Sequence, residues 1–184
     1  AGTTRRHLRI DALAAAAEVV LAVEALPRDG GIRVATCGHV TAIPNVRNVV
    51  PGEALLGVEI RDQSSAALDA AIPEIEALLD AIEARRGVAI ARTWGQRVPP
   101  QLAAPAIKAS TARAADGRGL QHVELPSGAG HDAQVIAEAA PIGMIFVPSR
   151  VGVSHSPDEH TEPEDLVAGA QVLVDTLLDL DGAR

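Results

Sequence analysis

Residues Leu125–Glu164 read LPSGAGHDAQVIAEAAPIGMIFVPSRVGVSHSPDEHTEPE. The stretch holds His131, His155 and His160, three of the six histidines, together with Asp132 and Glu159. A short apolar run, Ile142–Val147, separates two polar halves. That composition fits a buried strand with polar loops at both ends. Loops after such strands carry function in open α/β sheets.

Working outward, Thr161 and Glu164 have capping-box spacing and predict the start of a last helix. Val167, Ala170, Val174 and Leu177 would form its buried face. Upstream, the pattern predicts a helix over Ala106–Ala115 ended by Asp116-Gly117, and a short strand over His122–Leu125. A Ser127-Gly128-Ala129-Gly130 turn follows, then a helix over Asp132–Ala139. Strands alternating with helices imply an open α/β sheet for this half. Gln96–Pro105 contains three prolines and no periodicity, so a domain boundary is expected there, dividing residues 1–96 from 97–184.

The first half begins with an Ala- and Leu-rich segment, residues 10–26. Ile10, Leu13, Ala17, Val20, Leu21 and Glu24 follow a helical period and mark an expected buried stripe. Pro27 and Asp29-Gly30-Gly31 should stop this helix. Strands are expected at Ile32–Val40, Leu55–Arg61 and Val88–Trp94, the first two joined by a turn region over Pro44–Gly52. Between the second and third, a helix capped by Ser64 or Ser65 runs to about Arg86, with Leu68, Ile72, Ile75, Leu78, Leu79 and Ile82 inward. Pro73 should kink or interrupt it, and Gly87 should end it. Helix, strand, strand, helix, strand is a split βαβ, ferredoxin-like pattern lacking its first strand.

Composition narrows the function. One Trp, one Phe and no Tyr give an aliphatic interior with no platform for base stacking. The net charge of −8 argues against a nucleic-acid partner, because phosphates need a basic face. The single cysteine, Cys37, rules out an intrachain disulfide framework and fits a reducing compartment. No apolar run reaches bilayer length and no signal-like segment is seen, so the expectation is a cytoplasmic protein without a membrane partner.

Each candidate for chemistry has a plainer alternative. His155 follows Gly152-Val153-Ser154 after the apolar run. A neutral imidazole there can ligate a zinc-type ion, with Asp158 or Glu159 orienting it; it can equally be a surface histidine beside a helix cap. His155 and His160 fail the inverted zinc-protease spacing His-x-x-Glu-His, and His160 is expected to face solvent. The Ser127–Asp132 turn is no Gly-x-Ser-x-Gly elbow. It can present free amides to an anion or carbonyl oxygen, or serve only as a tight turn. Asn48 and Arg61 flank the first hairpin. Arginine can clamp a carboxylate and an amide can add a further bond, although a strand-end arginine is often a solvated charge.

Taken in order, these residues resemble one family. Ala1-Gly-Thr-Thr with Arg9-Ile-Asp11-Ala-Leu13, Pro44-Asn45 with Asn48-Val-Val-Pro-Gly52, and Glu59-Ile-Arg61 match its pattern. So do Pro126-Ser-Gly-Ala-Gly-His-Asp-Ala133, Met144-Ile-Phe-Val-Pro-Ser149, and Gly152-Val-Ser-His155-Ser-Pro with Glu159. The chain resembles the C-terminal half of the hydantoinase/carbamoylase branch of the M20 metallopeptidase superfamily. That branch includes N-carbamoyl-L-amino acid hydrolases, allantoate amidohydrolases and β-ureidopropionases.

The resemblance implies an inserted dimerisation domain over residues 1–96 and the closing part of an open α/β zinc-hydrolase catalytic domain over residues 97–184. It implies hydrolysis of linear non-peptide C–N bonds by a water held between two divalent ions, zinc or manganese. Under it, His155 matches a metal ligand, and Asn48, Arg61 and Gly130 match substrate contacts, the first two reaching across a homodimer. His131, Asp132 and Glu159 form a supporting shell. The motif departs from the family at Arg5 and Arg6. The other metal ligands and the catalytic glutamate belong to an N-terminal half that this sequence lacks. The implied partners are therefore that half, a second copy through residues 1–96 and a small-molecule substrate, and the chain alone is expected to be inactive. Two alternatives stand beside this: a non-catalytic dimerisation or interaction module derived from such a hydrolase, and a peptidase of the same superfamily.

Overall fold

A computed structural model describes residues 2–27, 31–95 and 97–182. Ala1 of the first motif, Asp29 and Gly30 of the expected helix stop, and Gln96 of the expected boundary lie outside the described residues. The chain divides into two compact units, Ala1–Pro100 and Gln101–Arg184, each with its own core.

In the first unit, Asp11 caps α1 (Ala12–Glu24) by accepting a hydrogen bond from the Ala14 amide at 3.1 Å. Strands β1 (Val34–Ile43) and β2 (Glu53–Arg61) pair antiparallel, from Val34↔Arg61 to Ile43↔Glu53, with a bulge between Cys37 and His39. Ser64 caps α2 (Ser65–Arg86) through the Ala67 amide at 3.2 Å, and Gly87 ends it at φ 65°. Ala15, Val19 and Val23 of α1 pack with Ala71, Ile75, Leu79 and Ile82 of α2, and Ala35, Leu56 and Ile60 of the sheet close this core.

Three expectations for this unit fail. The buried face of α1 is Ala15, Ala16, Val19 and Val23, whereas Leu13 and Leu21 of the expected stripe are exposed, as is Ile10 just before the helix. A helix apolar on nearly every side has no sequence period that selects the inward face. Pro73 does not interrupt α2; it lies on the exposed side, where water can take the carbonyl its ring leaves without a donor. Val88–Trp94 joins no ladder, so the only sheet among the described residues has two strands. Its side chains still alternate, with Val88 and Ile90 packed on the core.

Side chains rather than a backbone ladder hold that segment. The Arg92 guanidinium meets Glu76 at 2.7 Å, Asp80 at 2.7 Å and Glu83 at 2.6 Å, three acids spaced to share one face of α2. The Trp94 indole donates to Glu76 at 2.8 Å, and the Ile90 amide donates to Glu83 at 2.5 Å.

The second unit contains α3 (Pro105–Gly117), the four-residue α4 (Ala133–Ile136) and α5 (Pro163–Leu180). Its described residues contain no strand, so neither His122–Leu125 nor Ile142–Val147 is one, and the open sheet expected here is not formed. A strand exists only in a hydrogen-bonded ladder, and among the described residues the run has a single backbone bond to another segment, from the Ala104 amide to the Ile142 carbonyl at 2.8 Å, which makes no ladder. The run is also not buried throughout, since Met144 and Phe146 are exposed. The helix expected over Asp132–Ala139 shortens to one turn of α4. Pro163 takes the first position of α5 and Glu162 precedes it without a side-chain cap, so Thr161 and Glu164 form no capping box: proline at that position needs no amide partner.

Helices α3 and α5 pack through Ala114, Ala115 and Val172, with Ile145 against them. Polar links join the same two helices. Ser110 donates to Asp179 at 2.5 Å, Arg113 meets Asp179 at 2.5 Å, and Arg118 reaches Asp175 at 2.6 Å and Gln171 at 2.8 Å. The buried face of α5 is therefore Val172 and Thr176, in place of the expected Val167, Ala170, Val174 and Leu177. Those four are exposed, with Leu166 and Leu173 beside them. Polar partners on α3 draw the Asp and Thr side of α5 inward, a preference that an apolar period cannot report.

Candidate functional site

In the second unit, a cavity of about 270 Å³ is lined by Leu125, Pro126, Ser127, Gly128, Ala129, His131, Phe146, Ser154 and His155. It brings together two of the three histidines of the opening stretch. The turn at its mouth is tied by Ser127, whose hydroxyl donates to the Ala129 carbonyl at 3.2 Å and accepts from the Ala129 amide at 3.2 Å. The same oxygen lies 2.8 Å from His131 Nε2. Gln134 holds the other end, accepting from the His131 amide at 3.3 Å.

Gly130 lies between the lining residues Ala129 and His131. A β-carbon there would meet only Gln134 Oε1, at an ordinary 3.4 Å. Steric crowding inside the chain therefore does not require glycine at this position. Asp132 is exposed and is not among the lining residues. Its carbonyl accepts from the Val135 and Ile136 amides in the α4 turn.

His155 is exposed and sits at φ 57°, a left-handed conformation that costs a non-glycine residue energy. Glu159 stabilises it from behind, accepting from the His155 backbone amide at 2.9 Å. The contact steadies the backbone and leaves the imidazole untouched, so Glu159 supports the loop rather than the ring. Val151 at φ 57° and Gly152 at φ 71° bend the same loop. His160 is exposed, as expected, and lies 3.3 Å from Glu162. The Arg150 guanidinium and then His160 hold the Glu162 carboxyl below its ordinary range.

Asn48 lies in the loop between the strands. Its carbonyl accepts from Gly2 at 3.0 Å, and a β-carbon on Gly2 would fall 2.5 Å from that oxygen. Arg9 fastens the same Gly2–Thr4 segment by donating to the Gly2 carbonyl at 2.5 Å and to the Thr4 carbonyl. Arg61 ends β2 and pairs with Glu59 at 2.9 Å, which raises its pKa above the ordinary value. The hairpin does not bring the two residues together. Arg61 pairs with Val34 at the end of the ladder remote from the loop that carries Asn48.

A tetrahedral divalent site takes about four ligands. No group of three or more His, Cys, Asp and Glu side chains that could hold an ion exists among the described residues. His155 is therefore at most one member of a larger set, and the residues present do not themselves hold an ion. Sequence reasoning missed Phe146 as a wall of the cavity, Ser127 as the partner of His131, and Arg9 and Gly2 as the brace behind Asn48. Only Ser127 had a local signal, lying four residues before His131 within one glycine turn.

Comparison with known proteins places these motifs. The chain is 39% identical over 184 residues to an allantoate amidohydrolase of Bacillus subtilis, covering 98% of the chain and 44% of that protein. It is 37% identical to an N-carbamoyl-L-amino-acid amidohydrolase of Paenarthrobacter aurescens, again over 98% of the chain and 44% of the relative. Among solved structures, an amidase of the hydantoinase/carbamoylase family from Burkholderia multivorans superposes with a TM-score of 0.88 at 35% identity, over 97% of this chain and 44% of that one. The chain thus spans less than half the length of the relatives it matches. Residues 5–179 match the pattern of peptidase family M20/M25/M40, and the chain belongs to that family.

Proposed function

We propose that this chain forms part of a metal-dependent amidohydrolase cleaving linear non-peptide C–N bonds of the N-carbamoyl amino acid or allantoate type. The observation that carries the reading is the cavity joining the Ser127–His131 turn to His155, in a chain whose relatives carry those activities along its whole length. In this reading His155 is one ligand of a pair of divalent ions, zinc or manganese, and the rest of the ligand set comes from polypeptide beyond these residues. That polypeptide also covers the exposed apolar face of α5. The Gly130 amide donates to the substrate, and Asn48 and Arg61 bind its polar ends.

Both residues reach into the site of a second copy, in a homodimer built through residues 1–96. The exposed Ile10, Leu13 and Leu21 give such a contact an apolar surface.

The test is an assay of the complete protein for ammonia release from N-carbamoyl-L-amino acids and allantoate, with dipeptides as the competing class and His155→Ala as the control. Loss of both metal and activity in the variant supports the reading. Cleavage of dipeptides alone points to a peptidase. Stable dimers with neither metal nor turnover point to an interaction module.

A further inference from the structure

Ser127 and His131 make a contact that the proposed reaction does not use. The Ser127 hydroxyl has one proton and two lone pairs. Its proton goes to the Ala129 carbonyl, and one lone pair takes the Ala129 amide. With the hydroxyl proton on the Ala129 carbonyl, the remaining lone pair faces His131 Nε2 at 2.8 Å, an arrangement that places the imidazole proton on Nε2. A neutral imidazole protonated at Nε2 has its lone pair on Nδ1. Nδ1 has no partner among the described residues, and His131 lines the same cavity as His155.

We propose that Ser127 is a positioning residue that locks His131 in the Nε2–H tautomer, so that Nδ1 accepts a hydrogen bond from an N–H group of the substrate. The acceptor suits a primary or secondary ureido or amide nitrogen, which carries a proton to donate, and it discriminates against an ester of the same shape. This deepens the proposed function and rests on it for the identity of the ligand. His131 moves from a supporting role to direct contact with substrate.

The test uses the complete protein, metal-loaded and labelled with ¹⁵N. Long-range proton–nitrogen correlations report which ring nitrogen of His131 carries hydrogen. The expected result is a single Nε2–H tautomer in the parent and in Ser127→Thr, and a mixture in Ser127→Ala. A mixture in the parent, or no change in Ser127→Ala, would overturn the lock. Titration with N-carbamoylglycine then separates the two readings. Movement of both the Gly130 amide and His131 Nδ1, with the Nδ1 response weakened at least several-fold in Ser127→Ala, supports the inference. Movement of Gly130 alone overturns it and leaves the proposed function standing. Silence at both positions counts against the substrate role in both.

Discussion

Val147 occupies the space that a side chain on Gly169 would need: a β-carbon on Gly169 would lie 2.4 Å from Val147 Cγ1. The contact seats the Ile142–Val147 run against α5, and Gly143 repeats the device against Ile107 of α3 at 2.3 Å. Two effects compete in Gly169→Ala. Helix propensity favours alanine by up to about 1 kcal/mol, while overpacking costs about 1–3 kcal/mol. A clash this short lets the second effect win, so urea denaturation should show a net loss of about 1 kcal/mol or more. Gly169→Ala combined with Val147→Ala should recover part of that loss. A lone Gly169→Ala that stabilises the chain would show that the contact does not set the packing.

Arg92 substitutes for a backbone ladder along Val88–Trp94. Of the amides in this segment, only that of Ile90 has an acceptor among the described residues, Glu83. Hydrogen exchange should therefore be fast across Val88–Trp94 except at Ile90, and slow at the paired amides of β1 and β2. Arg92→Leu should raise exchange at Ile90 as well, because Glu83 loses the cation that fixes its carboxylate. Protection of the whole segment in the parent chain would mean that it pairs with a strand.

Glu18 joins α1 to the end of α2, accepting from Arg86 Nε at 2.7 Å and also from Arg85. These bonds, Arg86 first, hold its carboxyl below the ordinary value of 4.5. The folded state binds that proton more weakly than the unfolded chain does. The stabilisation is therefore complete above 4.5 and is lost as pH falls through the lower folded value. Glu18→Gln should lower the urea midpoint at neutral pH, and the gap to the parent should close as pH drops well below 4.5. An equal gap at both ends of the range would exclude a charge effect. Because the cluster is only partly buried, added salt should shrink the gap too.

Val151 is a β-branched residue at φ 57° whose side chain is 92% exposed. It loses backbone energy of about 1–2 kcal/mol and gains no packing in return. Val151→Asn, which tolerates the left-handed region, should raise the thermal midpoint by a few degrees, corresponding to about 1 kcal/mol. A lowered midpoint would mean that Val151 makes a contact outside these residues.

Local chemistry was legible in the sequence wherever one or two residues determine the outcome. Asp11 and Ser64 cap the helices they precede, Gly87 takes the left-handed turn, and the hairpin strands form around the Pro44–Gly52 region, because each depends on hydrogen bonds to near neighbours. The inward face of α2 was legible as well, since charged residues mark its outer side. The motif residues, read in order, also carried the family. Tertiary structure alone decided which face of α1 and α5 turns inward. One helix is apolar on most sides, and the other turns inward the side whose Asp179 meets Ser110 and Arg113 of α3.

The same distinction explains the missing strands. Val88–Trp94 and Ile142–Val147 have strand-like sequences, but a strand is a property of a pair, and the described residues offer neither run a ladder. In the opening stretch, the sequence supplied the histidines and their glycine turn. Folding put His131 and His155 on one cavity, turned Glu159 toward a backbone amide, and set Ser127 against the imidazole. Those choices depend on distances across loops, which spacing along the chain does not encode.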